Sequence, residues 1–228
     1  MPGFPEWVDP VARYMWEVGV PGTLRIAVIA VPASCLIGML LGTLLTIRFL
    51  PSRALIRFYI ELWRGLPLIV TIFVIYLVLP AVDRRLEFDP YTAAALGLSL
   101  WGSAQIAEAT RGAVESIPRE QHEAASALGF GWVGRHAFVI LPQSLRRLLP
   151  PLVSLLVGII QNTTLAQVIG AADILETAER SVERLTAAPP AGLGEIHAIE
   201  IYGAVMVVFF IISFPLTRLA AYLERRLA

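Results

Sequence analysis

From Ile26 to Ile47 the chain runs for twenty-two residues without one charged side chain. At 1.5 Å of rise per residue, a helix of that length reaches about 33 Å, enough to cross the roughly 30 Å hydrocarbon core of a bilayer. Backbone amides inside hydrocarbon find no water, so such a run must satisfy its own hydrogen bonds as a helix. Four further stretches are long enough and apolar enough on average to do the same, though three of them carry a few charged residues. The first span is expected over about Thr23 to Ile47, and the second over about Ile56 to Leu79, interrupted near Gly65 and Pro67. The others lie over about Thr92 to Val114, Leu148 to Ile169 and Ala198 to Leu219. Composition agrees: 57% of residues are hydrophobic and only 16% charged, too apolar for the surface of a soluble domain. The expected fold is an all-α integral membrane protein of about five transmembrane helices, one domain over residues 1–228. Net charge is zero, which gives no electrostatic case for a nucleic-acid partner. The single cysteine, Cys35, sits in an apolar run and reads as a small buried packing residue.

Orientation follows from arginine, because the chain has no lysine. Arg48, Arg53 and Arg57 follow the first span without an acid among them. Arg111, Arg119, Arg135, Arg146 and Arg147 cluster around the third connection, and Arg218, Arg225 and Arg226 close the chain. The opposite connections dilute their arginines with Asp83, Glu87, Asp89, Asp173, Glu176, Glu179, Glu183 and Glu195. Basic residues collect on the cytoplasmic side. The N-terminus is therefore expected outside and the C-terminus inside. Residues 1–22, with Trp7, Tyr14 and Trp16, read as an outer interfacial segment, residues 115–147 as a cytoplasmic loop, and residues 170–197 as an outer loop whose acids and Ala-Pro-Pro-Ala-Gly stretch suit contact with a partner outside.

The cytoplasmic loop is too long for a simple hairpin and carries signs of structure. Ser116 is placed to cap a helix with Pro118 in its first turn, and Gly129 is a natural stop. Between them Ala124, Ala125 and Leu128 fall on one helical face beside Glu120, His122 and Glu123, a pattern suited either to another protein's groove or to stabilising the loop itself. His122 and His136, fourteen apart and without companion ligands, read as solvated; no metal site is expected.

Four segments in order resemble one family. "EAASALG" at Glu123 to Gly129, followed by Leu141 and Pro142, is similar to the EAA loop of ABC-importer permeases. "YIELWRGLP" from Tyr59, "AEATRGAVESI" from Ala107 and "IIQNTTL" ending at Leu165 resemble segments of the polar amino-acid uptake permeases of the histidine/glutamine type. The resemblance implies a type I importer transmembrane fold in a bacterial inner membrane. It implies two permeases (the second identical or homologous), a pair of cytoplasmic ATPases and a solute-binding protein outside. Glu123, Ala124, Ala125, Leu128, Gly129 and Pro142 would then couple the chain to the ATPase. The chain itself would be a non-catalytic subunit binding no cofactor, with ATP and magnesium on the partner. The absence of lysine independently removes the phosphate-binding lysine of a Walker A loop.

Polar groups within spans are costly and are candidates for a solute path. Gln161, Asn162, Thr163 and Thr164 fall near mid-span of the fourth helix, where they could bind the ammonium and carboxylate of a zwitterion or tie helices together. The family usually carries a Lys-Asp pair at positions 161 and 162. Glu61 with Arg64, and Glu108 with Arg111, are spaced to pair along their helices, as structural ion pairs or as gating groups. A proton-coupled carrier using Glu61 or Glu108 is the alternative reading. Gly38 and Gly42 allow close helix approach.

Overall fold

A computed structural model describes residues 5–46, 50–187 and 197–227, and every regular element among them is helical. The helices are α1 (Val8–Leu45), α2 (Leu50–Gly65), α3 (Leu68–Val82) and α4 (Pro90–Glu115). They continue with α5 (Arg119–Ala127), α6 (Trp132–Ile169), α7 (Ile174–Ala187) and α8 (Ala198–Leu227). Arg48, the Ala-Pro-Pro-Ala-Gly stretch and Glu195 lie outside the described residues.

The expected spans are recognisable, with altered ends. α1, α6 and α8 are each long and apolar enough to cross a membrane, and α2 with α3 form a broken pair that counts as a further span. The break falls at Leu66 and Pro67, where proline has no N–H to give and disfavours helical geometry in the residue before it. α4 is 26 residues long, about 39 Å, but interrupts its apolar sequence with Ser99, Ser103, Gln105, Glu108 and Thr110. Its alanines at 93, 94, 95, 104 and 107 are buried, so protein rather than lipid surrounds much of it. α1 begins at Val8 instead of Thr23, passing through a π turn at Met15–Gly19. Residues expected to lie apart as an interfacial segment are thus helical and continuous with the first span.

Two compact units divide the chain. The first gathers residues 1–30, 69–98 and 159–214. Its apolar cluster of Met15, Ile174, Ala178, Ile201 and Val205 joins α1, α7 and α8. Trp7 stacks on His197 with ring centroids 4.3 Å apart, and Tyr14 lies under the Arg184 guanidinium at 5.1 Å. Gly19 and Gly22 permit this approach: a Cβ on Gly19 would stand 2.5 Å from Thr177 Oγ1, and one on Gly22 would enter the Ala172 carbonyl. Much of the expected loop over residues 170–197 is instead the helix α7. Fourteen residues of it are helical, with Ile174, Glu176, Thr177, Ala178 and Ser181 buried.

The second unit holds residues 31–68, 99–158 and 215–228. Leu45, Ile60 and Ala107 form its centre, with Leu41, Ile56 and Tyr59 packed around them. Gly38 sits against Ser103 and Ile106, and Gly42 against Ala107 and Thr110, the close helix approach that their spacing predicts. Cys35 is half-buried rather than buried.

Candidate functional site

The segment from Glu115 to Pro142 is built around α5. Its C-terminus closes as the sequence predicts. Gly129 takes φ +83°, its N–H donates to the Ser126 carbonyl, and the Phe130 N–H reaches back to the Ala125 carbonyl. That pair of bonds satisfies carbonyls the helix would leave open, and a side chain at that φ would be strained. The N-terminus differs from expectation. Pro118 occupies the cap position with no side-chain hydrogen bond. Ser116 instead gives its hydroxyl to the Ala113 carbonyl and accepts from Arg147 at 3.1 Å.

The predicted apolar face of α5 is divided. Ala125 turns inward and is 2% exposed, whereas Ala124 is open and Leu128 is 78% exposed. At about 100° per residue, Ala124 and Leu128 stand nearly above one another while Ala125 points away from them. Glu123 is exposed, and Pro142 is exposed on α6. Two ties from α6 hold the helix down without covering its outer face, and a third bond lies within the helix itself. Gln143 donates to Gln121 at 3.2 Å, Arg135 donates to the Ser126 hydroxyl at 2.8 Å, and that hydroxyl donates to the His122 carbonyl. Below, Val114, Ile117 and Ile140 form an apolar footing. His136 is not solvated as expected. It is 6% exposed, bonded through Nδ1 to the Trp132 carbonyl at 2.9 Å and stacked on the Trp132 ring. Burial, then the charges of Arg135 and His136, push the His122 pKa down.

The charged pairs are also rearranged. Glu61 does not take Arg64. Arg57 lies 3.8 Å from Glu61, and Arg64 lies 4.0 Å from Glu108 on α4. Glu108 with Arg111 does form as predicted, with Arg111 Nε at 3.0 Å, and the same guanidinium also holds Glu115. Both carboxylates proposed for proton coupling therefore have a guanidinium beside them.

Gln161, Asn162, Thr163 and Thr164 straddle a change of helix type. The α-helical part of α6 ends at Gln161, and Asn162–Ile169 continue as a 3₁₀ helix that stops at Gly170, φ +81°. Such runs seldom exceed 3–4 residues and often mark hinges. Gln161 is exposed and donates to Ser213 on α8 at 3.1 Å. Thr164 caps back onto the Gln161 carbonyl at 2.9 Å. Thr163 is wholly buried and bonded to the Ile160 carbonyl at 2.7 Å, facing protein.

Sequence reasoning missed the acids beyond this 3₁₀ segment. Asp173 is fully buried, and its Oδ1 accepts from the Glu176 N–H at 2.8 Å, capping α7. The signal was present as Asp-Ile-Leu-Glu, an N-cap acid with glutamate three residues on. Burial pushes Asp173 up to about 7, the neighbouring Glu176 charge adding to the rise against the backbone N–H bond. Burial also raises Glu176, opposed by its partner Arg180.

Comparison with known proteins gives a consistent result. Residues 34–228 match the family described as binding-protein-dependent transport system inner membrane component. The chain is 35% identical to the glutamine transport system permease protein GlnP of Escherichia coli (strain K12), over 92% of this chain and 91% of that one. It is 32% identical to the inner membrane amino-acid ABC transporter permease protein YhdY of the same strain, over 96% of this chain and 58% of that one. Among solved structures, the crystal structure of an amino acid ABC transporter with histidines superposes at TM-score 0.81 and 24% identity, covering 98% and 99% of the two chains.

Proposed function

The chain belongs to the binding-protein-dependent transport system inner membrane components, and from that premise we propose a division of labour within an importer of polar amino acids. Membership replaces the proton-coupled carrier that Glu61 and Glu108 had suggested; the protein is an amino-acid permease subunit of an ABC importer. In the proposed cycle a loaded binding protein docks outside and ATP closes a pair of ATPases in the cytoplasm. α5 follows that closure, and paired permeases tip between inward- and outward-facing states. The spans of one chain are too few to enclose a polar path, so the path runs between this chain and a second permease, identical or homologous. ATP and magnesium stay on the ATPase. In this reading the N-terminus is outside and the C-terminus inside, an orientation supported by the distribution of arginines along the sequence.

The single observation that supports this reading is the outer face of α5. Glu123, Ala124 and Leu128 present a small, mainly apolar surface on a short helix locked at its C-terminus and tied down from below, leaving it free to sit in a groove and transmit force. Gln161 and Thr164 are the polar groups at the 3₁₀ segment best placed to meet a passing zwitterion.

Purification of the complex tests the assignment. An ATPase should co-isolate with the wild-type chain and be lost on Glu123→Arg, with ATP-driven uptake of glutamine into vesicles falling at least tenfold. Uptake that survives removal of the ATPase would overturn it.

A further inference from the structure

Beside α5 lies a cavity of about 930 Å³ to which the transport cycle above assigns no ligand. Its wall takes residues from the ends of α1 and α4, the start of α2, the first turns of α5 and the start of α6. Three guanidiniums line it, Arg53, Arg119 and Arg135. Arg53 and Arg119 form no ion pair among the described residues, and the buried Arg135 Nε has no hydrogen-bond partner. Two carboxylates share the cavity, but Glu115 is already held by Arg111, leaving Glu123 alone against three positive charges. His136 lines the same space. It is more than nine-tenths buried, its Nδ1 is committed to the Trp132 carbonyl, and its ring stacks on Trp132 and stands edge-on to His122 with centroids 6.0 Å apart. The start of α5 borders the cavity too, and no side chain caps its first N–H groups. An excess of guanidinium forks, an unsatisfied buried guanidinium N–H on Arg135 and an uncapped helix start all favour the same kind of guest.

We propose that this cavity binds a phosphate-bearing anion, carried either on a lipid headgroup or on a soluble metabolite, held chiefly by Arg53, Arg119 and Arg135. A bound anion cross-links the start of α2 to the first turn of α5 and to α6. It therefore stiffens the mounting of α5 and meets the coupling face only at its edge, through Glu123, leaving Ala124 and Leu128 outside the cavity. The site stands on its own residues and does not depend on which solute is transported.

The test uses the full-length chain, with any ATPase that co-isolates, in phosphatidylcholine nanodiscs. Inorganic phosphate is titrated and followed by ³¹P line broadening, and phosphatidylglycerol is added separately and counted as retained adducts by native mass spectrometry. Saturable binding of either probe is expected, the responding arm identifying the source. Arg53→Gln with Arg119→Gln should weaken that binding at least tenfold, and Arg146→Gln, exposed and outside the cavity, should leave it unchanged. His136→Phe keeps a ring against Trp132 while removing both ring nitrogens, and should weaken binding by a smaller factor even if the double variant folds poorly. Equal response of wild type and His136→Phe to both probes, or no saturable binding of either, would overturn the proposal.

Discussion

Two short helices stand apart from the long apolar ones, and they are held in opposite ways. α5 buries one of its nine residues, Ala125, and leaves its start uncapped. α7 buries five, Ile174, Glu176, Thr177, Ala178 and Ser181, and opens with the carboxylate of Asp173 as its cap. α5 rests on a few side-chain ties; α7 belongs to an apolar cluster. Both are amphipathic by sequence, so amphipathicity alone does not separate a helix offered to a partner from one built into a core. How much of the apolar face finds cover within the chain makes the distinction.

Breaking α7 should cost most. Ala178 has no exposed surface, so Ala178→Arg forces a guanidinium into the cluster of Met15 and Ile201, a loss of more than about 4 kcal/mol. The expected outcome is loss of folded protein in detergent-solubilised membranes, followed by size-exclusion chromatography; a monodisperse variant would show that α7 is mounted as loosely as α5.

The next effect is a pH slope peculiar to α7. The Asp173 carboxyl resists ionisation in the folded protein up to about pH 7, whereas in the unfolded chain it ionises near 4. Its contribution is full below about pH 4, falls as pH rises toward 7 and is flat above, a total on the order of 4 kcal/mol. Asparagine keeps the cap acceptor but cannot ionise. Thermal unfolding of Asp173→Asn should therefore lose stability less steeply than wild type between pH 4 and 7. Identical slopes would mean that Asp173 is hydrated rather than sealed.

The smallest effect belongs to α5. Gly129→Ala places a side chain at φ +83° with open space around it, so only backbone strain of about 1 kcal/mol applies. Hydrogen exchange should quicken at the Gly129 and Phe130 amides while the melting temperature barely moves. A large drop in melting temperature would show that α5 is part of a core after all.

Reading residues in a line recovered the features that depend on neighbours in sequence. Lack of charge over Ile26 to Ile47 requires a span, Pro67 requires a break, and Gly129 requires a stop, because each acts through the local backbone. The Asp-Ile-Leu-Glu start of α7 is equally local, an N-cap signal inside a stretch that charge alone marks only as acidic. Pairings were less legible. Glu61 and Arg64 have helical spacing, yet Arg57 and Glu108 take them, since either partner satisfies the spacing and only distance chooses.

Sequence alone determined that the chain crosses a membrane, where its helices break and stop, and which family it resembles, because those follow from local chemistry and ordered motifs. Tertiary structure decided that Ala125 turns inward while Ala124 and Leu128 stay open. It also decided that Asp173 is sealed and that Arg53, Arg119 and Arg135 surround one cavity. Burial and convergence of charge are properties of packing between segments distant along the chain, and no local pattern encodes which surfaces meet.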